Sequence, residues 1–424
     1  MNKKNNKKFL FVGTTTTILG NKIFDFANNF LISKISPKTS FVLALYQSSE
    51  LIISILLNLI GGAISDFTSK KNKIVIISDF LSGIFVLSIL FLQKTRVPMP
   101  VVIISVNIIL SIISSFNAPS AKALIKHYID KDEISKFNSC LQIAIQIIKV
   151  ITPIFTISLI KVIGYTNIIL INAFTFFLSS FCEYNLKSDE EIQFKSKSEK
   201  KIIKNIVEGI QYLLQQKKIL NLIVTSSLVN FFLAGYNLFL PYSRNLFESS
   251  IDPYAIFLSA EAAGGMIGGI IALKIISSNY SRKSYDFLIF SGLFIVLYYF
   301  VMKLFKNIII AMICIVLFNL FLTIYNISFF TGINEDVDSN YIGRIFSIVF
   351  TAALAFMPIG SFVFSWAFSV KSMNQYLFIG IGVVAISMVA KKIYIKGWFT
   401  NSRIIKIKPR MYWIINTFLV FYLK

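Results

Sequence analysis

The sequence predicts an all-α membrane protein with twelve transmembrane helices in two pseudo-symmetric six-helix bundles. Three observations carry that expectation. Only 15% of the 424 residues are charged while 55% are hydrophobic, and the mean hydropathy is +0.72; a soluble domain carries about 25% charged residues. Apolar runs of spanning length, about 20 residues, recur along the whole chain. They also fall into two groups of six on either side of one long polar stretch.

The first group lies near 9–32, 41–64, 74–93, 97–121, 137–160 and 165–186. The second lies near 219–241, 254–277, 285–303, 307–330, 344–370 and 374–395. The opening MNKKNNKKFLFVG resembles the start of a signal peptide. Its apolar run continues without a small-residue cleavage site, so it reads as a first span. Between the groups, KSDEEIQFKSKSEKKIIKN is a polar linker. Ile203, Ile206, Val207, Ile210, Leu213 and Leu214 follow at helical spacing, the pattern of an amphipathic helix on a membrane surface. The expected organisation is therefore an N-terminal bundle over 1–186, a linker over 187–218, a C-terminal bundle over 219–396 and a tail over 397–424. Residues 411–423, MYWIINTFLVFYL, are apolar but short for a span and read as an interfacial anchor.

Lysine and arginine set the orientation. With the N-terminus in the cytoplasm, the great majority of the 42 basic residues fall on the cytoplasmic side, which puts both termini inside. The net charge of +22 does not indicate nucleic acid, because the lysines lie between apolar runs rather than in a basic domain. Cys140, Cys182 and Cys314 show neither disulfide-framework nor metal spacing. His127 is the chain's one histidine and reads as a surface residue rather than a metal ligand. Neither a metal nor a cofactor is expected. The halves echo one another: Pro153 and Pro358, and Gly61-Gly62 and Gly268-Gly269, sit at matching places in the two groups, as in a duplicated unit.

The stretch IGGAISDFTSKKNKIVIISD lies between the second and third spans on the cytoplasmic side. Its Gly62-x-x-x-Asp66-x-x-x-Lys70-Lys71 pattern resembles the signature loop of the major facilitator superfamily. Within that superfamily the chain is similar to the macrolide-efflux branch of drug:proton antiporters. The supporting stretches are SSFNAPSAKALIKHYIDKDEISKFNS (114–139), IGYTNIILINAFTFFLSSF (163–181) and GRIFSIVFTAALAFMPIGSF (343–362). Phe67 and Ser69 stand where the signature usually has a basic residue and a glycine. Of the antiporters' Gly-Pro-x-x-Gly-Gly pattern, span 5 keeps only Pro153.

The resemblance implies the major facilitator fold and a carrier rather than an enzyme. It implies secondary active efflux of a hydrophobic or amphipathic small molecule by alternating access, with protons as the expected coupling ion. Export of a self-made metabolite such as a siderophore or peptide antibiotic, or of a lipid, is the alternative. No Walker loop for ATP hydrolysis occurs. The expected setting is a bacterial cytoplasmic membrane, with the protein as a monomer. The resemblance also implies a cytoplasmic latch of Gly62, Asp66, Lys70 and Lys71, with Arg344 as a partner for Asp66. The lysines can equally anchor the loop at the anionic leaflet.

Charges inside spans are the pointers to mechanism, since each costs about 2.5–3.5 kcal/mol or more at a helix centre. Lys22 and Asp25 are three apart on one helix face and can neutralise each other. Glu50, Lys149 and Glu261 lie within spans 2, 5 and 8. In the superfamily, spans 1, 2, 5 and 8 line the central cavity, so these five residues are candidates for proton coupling or substrate binding. Fixed ion pairs that only hold helices together are the alternative. Pro153 and Pro358 are hinge candidates, or simple packing kinks.

Overall fold

The computed structural model describes residues 2–67, 71–186, 211–214, 216–247, 252–275, 281–337 and 342–395; residues 2–4, 58–67, 126, 131, 135, 274, 281–282, 335–336, 342–344 and 346–347 are described as helical backbone only. The helices are α1 (Asn2–Ile35), α2 (Phe41–Phe67), α3 (Lys71–Leu92) and α4 (Met99–Tyr128). A long run, Lys131–Tyr184, breaks at Gly164, where φ is 78° and ψ 167°. That positive φ suits glycine alone, and it divides the run into α5 (131–163) and α6 (165–184). The second half comprises α7 (Lys217–Phe239), α8 (Pro253–Ile275), α9 (Ser281–Phe300), α10 (Ile308–Asp336), α11 (Ile342–Ala367) and α12 (Asn374–Ile395).

Local chemistry fixes several boundaries. Pro98 precedes α4 and a second proline stands in its first turn, where the missing N–H costs nothing. After α9, a π-turn over Val301–Phe305 ends at Lys306 in the left-handed region. The Asn307 side chain then accepts from the backbone N–H groups of Ile309 and Ile310 at 2.9 and 3.1 Å, starting α10.

Among the described residues nine helices are long and apolar enough to cross a membrane, with the α5–α6 run counted once. The expectation of twelve spans meets two exceptions on that measure. α1 is interrupted by Lys22, Asp25 and several asparagines and threonines, and the apolar part of α2 that is described, Phe41–Leu57, is short. Much of α1's polarity faces protein: Asn28 and Asn29 are buried. Elsewhere large apolar side chains point outward, Trp366 at 90% exposure and Leu273 at 84% among them, as a lipid-facing surface requires.

Helix pairing repeats with a shift of six. α2 packs on α4 as α8 does on α10, and α3 on α4 as α9 on α10. α1 packs on the α5–α6 run as α7 packs on α11 and α12. The two groups meet through α2 against α11 and α5 against α8, again a symmetric pair. Close approach at α8–α10 depends on glycine: a Cβ at Gly264 would stand 2.2 Å from the Val316 carbonyl oxygen, and one at Gly268 2.5 Å from that of Leu320. The fold is thus two matched six-helix bundles with a seam between them.

Candidate functional site

A cavity of about 420 Å³ opens at the seam between α1, α5, α8 and α10. Lys22, Asp25, Lys149 and Glu261 all line it, joined by the uncharged polar groups of Gln146, Thr152, Asn319 and Thr323 and by the rings of Phe26 and Tyr254. Four of the five charged candidates are therefore together. Glu50 is outside the lining, on an exposed part of α2, close enough to feel the charges of Asp25 and Lys22. Pro153 is part of the cavity wall; Pro358 lies inside α11.

Lys22 is not Asp25's hydrogen-bonding partner. Asp25 Oδ1 accepts instead from the Tyr46 hydroxyl at 3.1 Å and from Asn29 Nδ2 at 3.0 Å. Asn28 Nδ2 donates to the Tyr46 hydroxyl at 3.2 Å, and the Tyr165 hydroxyl donates to Asn28 Oδ1 at 2.5 Å. Gln47 Nε2 donates to Asn29 Oδ1 at 2.8 Å. Neutral donors from α1, α2 and α6 thus fix one oxygen of Asp25 in place. Lys22, three residues earlier, is exposed to the cavity. The tyrosine and the asparagines do not stand out in the sequence. Uncharged polar residues within spans ordinarily bond their own helix backbone, so nothing in one sequence marks them.

Glu261 is held differently. Its carboxylate neighbours the Tyr236 hydroxyl and the Lys149 ammonium. Both Glu261 Oε2 and the Tyr236 hydroxyl are buried with no hydrogen-bond partner. A buried carboxylate oxygen without a donor costs free energy, and a proton or a ligand donor would relieve it. Asn319 Nδ2 donates to the Glu261 backbone carbonyl, tying α10 to α8 behind the carboxylate.

The cavity is sealed on the side of the α1–α2 turn. Phe26 stacks on Tyr254 with centroids 4.8 Å apart. Arg244 Nη2 donates to the Phe30 carbonyl at 3.0 Å and to Ser33 Oγ at 2.5 Å, and its guanidinium lies 4.3 Å from the Phe30 ring centroid. The Tyr242 hydroxyl donates to the Thr39 carbonyl at 2.9 Å, and Gln47 Nε2 reaches the Asn237 carbonyl at 3.4 Å. A second cleft of about 510 Å³ borders this seal, with Lys34, Lys161, Arg244 and Asp252 around it. Burial pushes the Asp252 carboxyl above the ordinary carboxylate range, against the opposing pull of Arg244.

Of the expected latch, Lys70 lies outside the described residues, and Gly62, Asp66 and Arg344 are described only as backbone. Lys71, expected in the latch or at the anionic leaflet, is 3% exposed and engaged by the protein. An ammonium that deep must be compensated from within. The amphipathic linker up to 210 and the tail over 411–423 also lie outside the described residues.

A family model described as the Major Facilitator Superfamily matches residues 10–361. No curated protein matches the chain in sequence. Solved structures share its fold at low identity. A bacterial homologue of the iron transporter ferroportin in an inward-facing state is 16% identical with a TM-score of 0.72, covering 92% of this chain and 98% of that one. The nucleoside transporter NupG is 13% identical with a TM-score of 0.71, over 92% and 100%. A peptide transporter, POT, in complex with alafosfalin is 12% identical with a TM-score of 0.74, over 92% and 94%.

Proposed function

The chain belongs to the major facilitator superfamily, and from that premise we propose that it exports an amphipathic small molecule by proton-coupled alternating access. That it is a multi-pass membrane transporter of small molecules follows from the family and the fold. The direction, the coupling ion and the substrate are our reading.

One observation carries it: a cavity at the seam of two matched bundles, with Asp25 on α1 and Glu261 on α8, and, among the described residues, a seal on the side of the α1–α2 turn. With both termini placed in the cytoplasm by the positive-inside rule, the sealed end faces outward and the cavity loads from within. Asp25 and Glu261 are then the proton carriers, with Glu50 as an auxiliary acid beside Asp25. Lys22 and Lys149 set the charge against which these acids titrate or meet an anionic part of the substrate. Gly62, Asp66, Lys70, Lys71 and Arg344 serve as the cytoplasmic latch of the opposite state. Pro153 and Pro358, in corresponding helices, serve as hinges. We place the protein in a bacterial cytoplasmic membrane, as a monomer.

The lining favours a second substrate reading within the same mechanism. Four charged residues and Gln146, Thr152, Asn319 and Thr323 around about 420 Å³ suit a polar self-made metabolite, such as a siderophore or a peptide antibiotic, better than a wholly apolar drug.

The test is expression in a pump-deficient bacterium, with accumulation of a macrolide and of amphipathic dyes measured with and without a protonophore. Lower accumulation that the protonophore abolishes supports the proposal. Unchanged accumulation of every probe argues for the self-made metabolite, and efflux that ignores the protonophore removes proton coupling.

A further inference from the structure

Away from the cavity, the first bundle buries two acids side by side. Asp79 on α3 is 2% exposed and Glu183 on α6 is 7% exposed, and each carboxylate feels the other. Neither lines the central cavity. Asp79 Oδ1 accepts from Asn117 Nδ2 of α4 at 2.6 Å; its Oδ2 accepts from Thr17 Oγ1 of α1 at 3.4 Å, a long bond with slack in it. Ser179 Oγ, 1% exposed, stands beside both carboxylates in no geometry that completes a hydrogen bond. Glu183 Oε2 is likewise buried and unpartnered. Among the described residues, no lysine or arginine acts on either acid.

Two adjacent carboxylates out of water, with no basic partner among the described residues, repel one another and forgo solvation. The unpartnered Glu183 Oε2 and Ser179 Oγ stand with the weakly held Asp79 Oδ2 and the Thr17 hydroxyl, an all-oxygen set of the kind hard cations take. We propose that Asp79, Glu183, Ser179 and Thr17 bind a metal cation with a preference for oxygen ligands, Ca²⁺ or Na⁺ in class. The cation would join α1, α3 and α6 within the first bundle at a place separate from the substrate cavity. Asn117 orients Asp79 by its hydrogen bond.

The full chain, purified in detergent, tests this by thermal unfolding in choline chloride, NaCl, CaCl₂ and MgCl₂ at constant ionic strength and at pH 8. The expected result is a Tm rise of a few degrees with Ca²⁺ or Na⁺ over choline. That rise should be lost in Asp79→Asn/Glu183→Gln, whose neutral isosteres preserve shape. Should that variant fail to fold, Thr17→Val reads the same loss, and equilibrium binding of radioactive Ca²⁺ or Na⁺ to the unmutated protein gives a direct count. A Tm that responds to no metal, or that rises only on acidification, overturns the proposal, the second because a shared proton then neutralises the pair. A metal-induced rise that survives in the double variant overturns it too.

Discussion

Phe26 of α1 and Tyr254 of α8 lie face to face, centroids 4.8 Å apart and planes 7° from parallel, bridging the two bundles directly above the cavity. The stack is one part of a seal that also includes Arg244 and Tyr242, both from the turn that follows α7. Aromatic pairs contribute about 0.5–1.5 kcal/mol beyond area burial. Such a seal can hold one state and still yield to a ligand.

Arg244→Gln should loosen the seal. The guanidinium's bonds to the Phe30 carbonyl and Ser33 Oγ are charge-assisted, worth about 1.5–3 kcal/mol. The fraction of molecules open at that end should rise roughly tenfold or more. The rate of maleimide labelling at Ser243→Cys, 0% exposed in the sealed arrangement, reads that fraction. An unchanged labelling rate would mean the arginine does not hold the seal.

Asp252 gives the seal a pH dependence of known sign. Burial raises its carboxyl above the ordinary range in the closed arrangement, and hydration on opening would return it towards that range. Closed molecules therefore bind this proton more tightly, so the contribution to closure is present at low pH and is lost as pH rises through the raised value. Labelling at Ser243→Cys, divided at each pH by the rate of the same thiol in unfolded protein, should accelerate with rising pH, and Asp252→Asn should flatten that rise. A slope of opposite sign would contradict the assignment.

Asp25→Asn keeps an acceptor for Tyr46 and removes the charge, so the fold should survive while gradient-driven export falls about tenfold or more. Tyr46→Phe should have a milder effect, since Asn29 still donates to Asp25. Export should persist with an altered pH profile. Full protonophore-sensitive efflux in both Asp25→Asn and Glu50→Gln would remove the proton site from α1 and α2.

Gly264→Ala should destabilise the second bundle by about 1–3 kcal/mol, because its Cβ would stand 2.2 Å from the backbone oxygen of Val316. Gly269→Ala, with nothing within 4 Å of the new atom, should be neutral or stabilising by up to about 1 kcal/mol. Thermal unfolding of the two purified variants decides it; equal losses would show that α8–α10 contact does not depend on that approach.

What is legible in the sequence follows from how each signal is encoded. Spans are continuous runs of apolar residues, so ten of the twelve expected segments correspond to helices that meet the apolar-span measure. α1 does not, because Asn28, Asn29 and Asp25 serve a polar network inside the protein. Charges in spans are rare and conspicuous, which is why Lys22, Asp25, Lys149 and Glu261 stand out in the sequence itself. Tyr46, Asn28 and Tyr165 do not, since their partners lie on different helices and no spacing records that. Asp79 and Glu183 are inconspicuous for another reason: each sits near the end of its span, where an acid is ordinarily solvated. Arg244 and Tyr242 read as outer-loop residues until the turn after α7 folds them back onto α1.

Alternating access is tested most directly by distances at both ends of the seam. Spin labels at Lys38 and Asn245 report the sealed end, and labels at Lys122 and Asn334 report the other; all four positions are exposed. In reconstituted protein, imposing a proton gradient should lengthen the first distance and shorten the second in the same population of molecules. Two distances that stay fixed, or that lengthen together, would contradict a carrier that rocks about the cavity holding Asp25 and Glu261.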